Sequence, residues 1–67
     1  MELNWIEDCL ALADTLNFRR AADMRHLTQP AFSRRIRSLE AWVGTPLFER
    51  SRQGVHLTPA GEAFRGR

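Results

Sequence analysis

Polar side chains that could read a nucleic acid lie at one end of a predicted helix spanning residues 28–43. On a helical wheel Ser33, Arg34 and Arg37 project away from the apolar positions of this helix, and Gln29 lies in its first turn. An amide, a hydroxyl and guanidinium groups match the donors and acceptors on base edges in the major groove. The free N–H groups at a helix N-terminus also attract phosphate. The pattern therefore favours a helix that binds duplex DNA.

The charges are unevenly distributed along the chain. Residues 1–16 carry four acids and no base, whereas residues 17–37 carry six arginines and one acid, and the net charge is only +2. A local block of positive charge matters more for binding a polyanion than the total does. All ten basic residues are arginine. This favours bidentate contacts to phosphate or guanine, although the codon bias of a GC-rich genome would give the same composition.

Length and composition exclude several classes of protein. A chain of 67 residues with 43% apolar content supports one small core and no deep catalytic cleft. The sequence offers no nucleophile–base pair or carboxylate dyad, so we do not expect an enzyme. It also contains no apolar run long enough to span a bilayer and no signal peptide. We therefore expect a cytoplasmic, nucleoid-associated protein without a membrane partner.

The single cysteine does not indicate redox chemistry or a metal site. Cys9 lies in a mostly apolar helix beside Glu7 and Asp8, and both features raise the pKa of a thiol. Together with His26 and His56 it does not form the spacing of a zinc site. We expect no metal and no cofactor.

Two helices are predicted in the first part of the chain. The first, Leu3 to Leu16, has an apolar stripe and an acidic opposite side. The stripe consists of Leu3, Ile6, Leu10 and Ala13, and the acids are Glu7, Asp8 and Asp14. The second runs from Phe18 to about Met24 with Asn17 as its N-cap, and we expect it to bury Phe18, Ala21 and Ala22.

The third helix follows a turn at Arg25-His26-Leu27. Thr28 is its predicted N-cap, and Pro30 lies in the first turn, where a missing N–H costs nothing. The helix runs from about Gln29 to Val43 and ends at Gly44, a left-handed C-cap. Its buried stripe consists of Phe32, Ile36, Leu39 and Val43.

A hairpin and a short helix complete the predicted fold. Residues 47–50 and 55–57 form two strands joined by the turn Ser51–Gly54, and Thr58-Pro59 begins a last helix. That helix reaches Arg67 after about two turns, so we expect the sequence to stop within it. The element order predicts a mainly α fold with a small β-hairpin, a winged helix-turn-helix.

Short motifs follow one another in a fixed order along almost the whole chain. They are Met1-Glu2-Leu3, Phe18 with Ala21-Ala22, Leu27 to Ser33, Ile36-x-x-Leu39-Glu40, Gly44-x-x-Leu47-Phe48-x-Arg50 and Leu57-Thr58-x-Ala60-Gly61. Matched in register over this length, they resemble the N-terminal domain of LysR-type transcriptional regulators.

The resemblance implies a DNA-binding head at residues 1–58 and the truncated start of a dimerisation linker helix at residues 59–67. It also implies that a longer parent binds a small-molecule effector through a separate C-terminal domain and forms a homodimer or tetramer. Two helical turns bury too little surface for stable pairing, so we expect the 67-residue chain to be a monomer.

The resemblance also assigns individual contacts to double-stranded DNA. It places Gln29, Pro30, Ser33 and Arg34 near bases or backbone, Arg50 on phosphate, and Arg52, in the wing at residues 50–55, at the backbone or minor groove. Arg37, on the exposed side of the third helix, and Thr28, the N-cap of that helix, complete the set. The predicted DNA-binding residues are Thr28, Gln29, Pro30, Ser33, Arg34, Arg37, Arg50 and Arg52.

Each of these interpretations has a simpler rival. Arg37 or Arg50 could pair with Glu40, Arg52 could be an idle turn residue, and Arg35 is expected to pack its stem along the core. For the whole domain, the alternative is a winged helix used for protein–protein interaction. That alternative predicts exposed apolar residues at the free end of the third helix.

Overall fold

The computed structural model describes residues 3–66, so Met1 and Glu2 of the first motif and Arg67 of the last helix lie outside the described residues. Within this range the chain forms four helices and one antiparallel hairpin, in the order of a winged helix-turn-helix. The predicted fold class is confirmed. The elements are α1 (Leu3–Thr15), α2 (Phe18–Met24), α3 (Gln29–Val43), β1 (Phe48–Ser51), β2 (Gly54–Leu57) and α4 (Pro59–Arg65).

The buried face of α1 differs from the predicted stripe. Leu3 and Leu10 are 72% and 44% exposed, whereas Asp8 and Leu12 are fully buried. The prediction for Leu3, Leu10 and Asp8 was therefore wrong, because it assigned the carboxylate to the solvent side. Asp8 can be buried because two arginines hydrogen-bond both of its oxygens. Of the predicted stripe, Ala13 is buried as expected.

Helix α2 forms as predicted and leads into a strained turn. The Arg20 N–H donates to Asn17 Oδ1 at 2.9 Å, which confirms the cap, and Ala21 and Ala22 are buried. Phe18 is only half-buried, contrary to expectation. In the turn that follows, His26 has a φ of 59°, a backbone conformation that residues other than glycine rarely adopt.

Helix α3 matches its prediction at both ends. The Ala31 N–H donates to Thr28 Oγ1 at 3.3 Å, and Gly44 adopts the left-handed conformation with a φ of 96°. The buried stripe consists of Phe32, Ile36 and Leu39, with Val43 half-buried at its end. The core of the domain lies where this stripe meets α1 and α2.

Each strand of the hairpin begins one residue away from its predicted start. Strand β1 begins at Phe48, one residue later than predicted, and β2 begins at Gly54, one residue earlier. Ser51 pairs with Gly54, which leaves a two-residue turn of Arg52 and Gln53. Leu47 is not in β1 because its N–H donates to the Glu40 carboxylate and its carbonyl accepts from the Thr58 N–H.

Helix α4 is capped by Thr58, whose hydroxyl accepts from the Gly61 N–H at 3.0 Å. A Cβ at Gly61 would collide with the Leu47 carbonyl, so only glycine allows this close approach. No helix formed by residues 3–66 is both long enough and apolar enough to cross a membrane.

Candidate nucleic-acid interface

A shallow groove lies between the N-terminal half of α3 and strand β1. Its volume is about 540 Å³, and both walls carry polar or charged side chains. Six residues of the predicted DNA-binding set line it: Gln29, Pro30, Ser33, Arg34, Arg37 and Arg50. The groove exists because the Phe32/Ile36/Leu39 stripe anchors one side of α3 in the core, which forces the polar side outward.

The other two predicted residues occupy different positions. Thr28 lies at the end of α3, but its hydroxyl accepts the Ala31 N–H as the helix cap. Arg52 lies in the exposed turn between β1 and β2 and does not line the groove. The structure therefore brings six of the eight together and leaves Arg52 at the tip of the hairpin.

Arg50 stands over an aromatic support that the sequence did not reveal. Its guanidinium carbon lies 4.0 Å from the centroid of the Phe18 ring. Phe18 in turn packs edge-on against the buried Phe32, with the ring centroids 6.1 Å apart. A cation over an aromatic face is attracted by the ring quadrupole. The stack therefore orients the Arg50 side chain over Phe18, which packs against the core and is half-buried.

Arg50 also borders a second concave surface, between the start of α2 and the hairpin. Arg19, Gln29 and Val55 are among the residues that line this surface, whose volume is about 340 Å³. Arg19 is not a member of the predicted DNA-binding set. The structure places it on the same side of the molecule as Gln29 and Arg50, next to the groove.

Glu40 does not form the alternative ion pair with Arg37 or Arg50. Glu40 Oε2 accepts the N–H groups of Leu47 and Phe48 at 2.7 and 3.2 Å, and no salt bridge joins it to any residue from 3 to 66. Its carboxylate instead fixes the entry to the hairpin. Arg37 and Arg50 are therefore both available to a ligand.

The arginines fall into two groups by their partners. Arg25 and Arg35 bind Asp8, and Arg65 lies 3.7 Å from Asp14. The others in the described part of the chain form no salt bridge there; they are Arg19, Arg20, Arg34, Arg37, Arg50 and Arg52. Unneutralised cations that share a surface create a positive potential over it, which attracts a polyanion.

Cys9 is not available as a nucleophile. It is buried, and its pKa is raised to about 11 by burial first, then by the charges of Glu40 and Asp8. The direction of this shift matches the prediction. The region from residue 3 to residue 66 contains no cluster of three or more histidine, cysteine, aspartate or glutamate side chains that could hold a metal ion.

Comparison with known proteins identifies a family with this arrangement. Residues 3–62 match the family described as bacterial regulatory helix-turn-helix protein, lysR family. The chain is 48% identical over 64 residues to the Hca operon transcriptional activator HcaR of Escherichia coli (strain K12), covering 96% of this chain and 22% of HcaR. It therefore spans about a fifth of that relative's length.

Two solved structures with the same fold contain DNA. Vibrio fischeri DarR in complex with DNA matches with a TM-score of 0.93 and 52% identity, over 97% of this chain and 22% of the DarR chain. The CbnR_DBD-DNA complex matches with a TM-score of 0.91 and 39% identity, over 98% of this chain and 76% of that chain.

Proposed function

Because the chain belongs to the LysR family of bacterial regulatory helix-turn-helix proteins, we propose that it binds duplex DNA sequence-specifically as the head of a transcription regulator. In this proposal the helix at residues 28–43 enters the major groove, and the wing at residues 50–55 contacts the backbone or the minor groove. The observation that carries it is the polar groove along α3, whose arginines have no acidic partner among the described residues. The DNA complexes of DarR and CbnR support DNA as the ligand.

We assign two kinds of DNA contact to the predicted set. Gln29, Ser33 and Arg34 read base edges, because their amide, hydroxyl and guanidinium groups line the exposed side of α3. The remaining members of the set, Thr28, Pro30, Arg37, Arg50 and Arg52, position the domain on the backbone. Thr28 contributes by capping the N-terminus of α3. Arg50 contributes its guanidinium group, which the Phe18 ring orients.

The domain acts in this proposal as a binding module and not as an enzyme. Residues 1–58 are the DNA-binding head, and residues 59–67 begin a dimerisation linker. A longer cytoplasmic, nucleoid-associated parent would pair as a homodimer or tetramer and bind a small-molecule effector elsewhere. We expect the 67-residue chain to sediment as a monomer at micromolar concentration, because the seven-residue α4 is short for pairing. A concentration-independent dimer would contradict this expectation.

The alternative of a protein-interaction module fits the groove less well. That role needs an apolar centre depleted of charge. The groove instead contains three arginines, an amide and a hydroxyl, with Pro30 as its one apolar side chain.

The proposal is tested by selecting binding sites from a pool of random duplexes of about 20 base pairs, long enough to include one half-site. We expect the purified chain to enrich one short motif, and Arg34→Ala to lose preference at one position of it. Arg65→Ala is the matched control, since it removes the same charge from a residue outside the groove. A pool that stays random after repeated selection would contradict sequence-specific binding.

A further inference from the structure

A single carboxylate joins three parts of the helix-turn-helix. Asp8 on α1 is fully buried, and each of its oxygens accepts a hydrogen bond from a different arginine. Arg25 Nε donates to Oδ1 and Arg35 Nε donates to Oδ2, both at 2.7 Å. Arg25 lies in the turn between α2 and α3, and Arg35 lies on α3. We call these three residues the Asp8 clamp.

The clamp holds the turn at its most strained point. The Arg25 N–H donates to the Ala21 and Ala22 carbonyls, and the next residue, His26, has the positive φ of 59°. Such a conformation persists only where the surrounding structure fixes it. Anchoring the Arg25 side chain on α1 restrains the residue that immediately precedes the strained one.

The clamp also fixes the rotation of α3 about its axis. Arg35 reaches into the domain toward Asp8, while the adjacent Arg34 and the nearby Arg37 line the groove on the other side. A buried ion pair is a weak source of net stability, because desolvation offsets its attraction. Its directional hydrogen bonds nevertheless favour one arrangement of the helices over others that bury the same apolar stripe.

We propose that Asp8, with Arg25 and Arg35, is a positioning residue for DNA binding: the clamp sets the orientation of α3 so that the groove side chains meet the bases together. This rests on the proposed function. Asp8 itself contacts no DNA, since its side chain is buried.

A charge-matched pair of variants tests the proposal. For Asp8→Asn, the loss of negative charge alone predicts tighter DNA binding, whereas the loss of positioning predicts weaker binding. Asp8→Asn and Asp14→Asn each remove one negative charge, which by electrostatics alone strengthens binding to a polyanion. Asp14 is exposed and lies outside the clamp. We expect Asp14→Asn to bind the selected duplex as tightly as the native chain or slightly tighter. We expect Asp8→Asn to bind it about tenfold more weakly, roughly the loss of one good base contact. Equal or tighter binding by Asp8→Asn would overturn the proposal.

A second measurement needs no DNA, so it separates this proposal from the proposed function. Residual dipolar couplings of backbone amides report the angle between α3 and α1, and the Arg25 and Arg35 Nε–H signals report the clamp. In Asp8→Asn we expect the helix angle to change or to average, with loss of exchange protection at both Nε–H groups. An unchanged angle with weakened DNA binding would overturn the positioning role, whereas a changed angle without any DNA binding by the native chain would overturn only the proposed function.

An apolar replacement covers the case in which Asp8→Asn does not fold. Exchanging a buried ion cluster for apolar side chains is often neutral for stability, so Asp8→Leu/Arg25→Met/Arg35→Met is expected to fold. Its net charge falls by one, and Arg65→Met, with the same change, is the control. We expect the triple variant to bind the selected duplex about tenfold more weakly than Arg65→Met. Equal affinities would show that the clamp does not position α3.

Discussion

Arg34 and Arg35 are neighbours on α3, yet they belong to two different regions of the molecule. Arg34 lines the open groove and has no ion-pair partner among residues 3–66, whereas Arg35 points into the domain and binds the buried Asp8 at 2.7 Å. The groove and the Asp8 clamp therefore use the same side-chain type for opposite purposes. Whether an arginine is available to a ligand depends on the carboxylate that the fold brings to it, and not on its place in a basic stretch of sequence.

The largest expected effect is on the clamp. Asp8→Ala leaves two partly buried guanidinium groups without their shared anion, which costs about 3 kcal/mol of unfolding free energy. Urea denaturation measures this loss. Asp14→Ala is the control, because an exposed pair contributes little. If the two variants lose similar stability, the clamp is no different from a surface ion pair.

The next effect is on discrimination by the groove. Arg34→Ala should reduce the preference for one base pair by about 1–3 kcal/mol while leaving the unfolding free energy unchanged, because the side chain is exposed and unpaired. Competition between matched and singly mismatched duplexes measures the preference. A variant that discriminates like the native chain would show that Arg34 does not read a base.

A smaller effect on DNA affinity is expected from removing the Phe18 ring that lies beneath Arg50. Phe18→Leu keeps an apolar side chain against Phe32 but removes the ring face beneath the guanidinium, worth about 0.5–1 kcal/mol at an exposed site. We expect a few-fold weaker binding to any duplex, and a smaller loss when Arg50→Ala is added to Phe18→Leu than when it is made in the native chain. Additive losses in this double-mutant cycle would mean that the stack does not orient Arg50.

The smallest effect is expected at the hairpin tip. Arg52 lies in the two-residue turn outside the groove, so Arg52→Ala should not alter the fold. Binding to selected and scrambled duplexes should weaken by similar factors, and the salt dependence should fall by about one ion. An unchanged salt slope would indicate that the turn does not touch DNA.

The sequence predicted the elements better than it predicted the inward face of α1. Caps such as Asn17, Thr28 and Gly44 are local signals, since each satisfies backbone groups within a few residues, and all three are confirmed. Asp8 is different because its burial depends on Arg25 and Arg35, which lie 17 and 27 residues away. No periodicity within α1 contains that information.

The groove was partly predictable because local helical spacing identifies some of its residues. Positions opposite the Phe32/Ile36/Leu39 stripe follow from helical spacing, so Ser33, Arg34 and Arg37 were found. The resemblance supplied Arg50, but the stack on Phe18 needs β1 to lie against the start of α2, a contact between distant parts of the chain.

One titration tests whether the arginines divide into those of the groove, which bind DNA, and those of the Asp8 clamp, which do not. Arginine Nε–H signals of the chain are recorded by NMR while the selected duplex is added. We expect the signals of Arg34 and Arg50 to shift, while those of Arg25 and Arg35 stay in place because Asp8 retains them. Shifts at Arg25 and Arg35 with none at Arg34 would contradict this division.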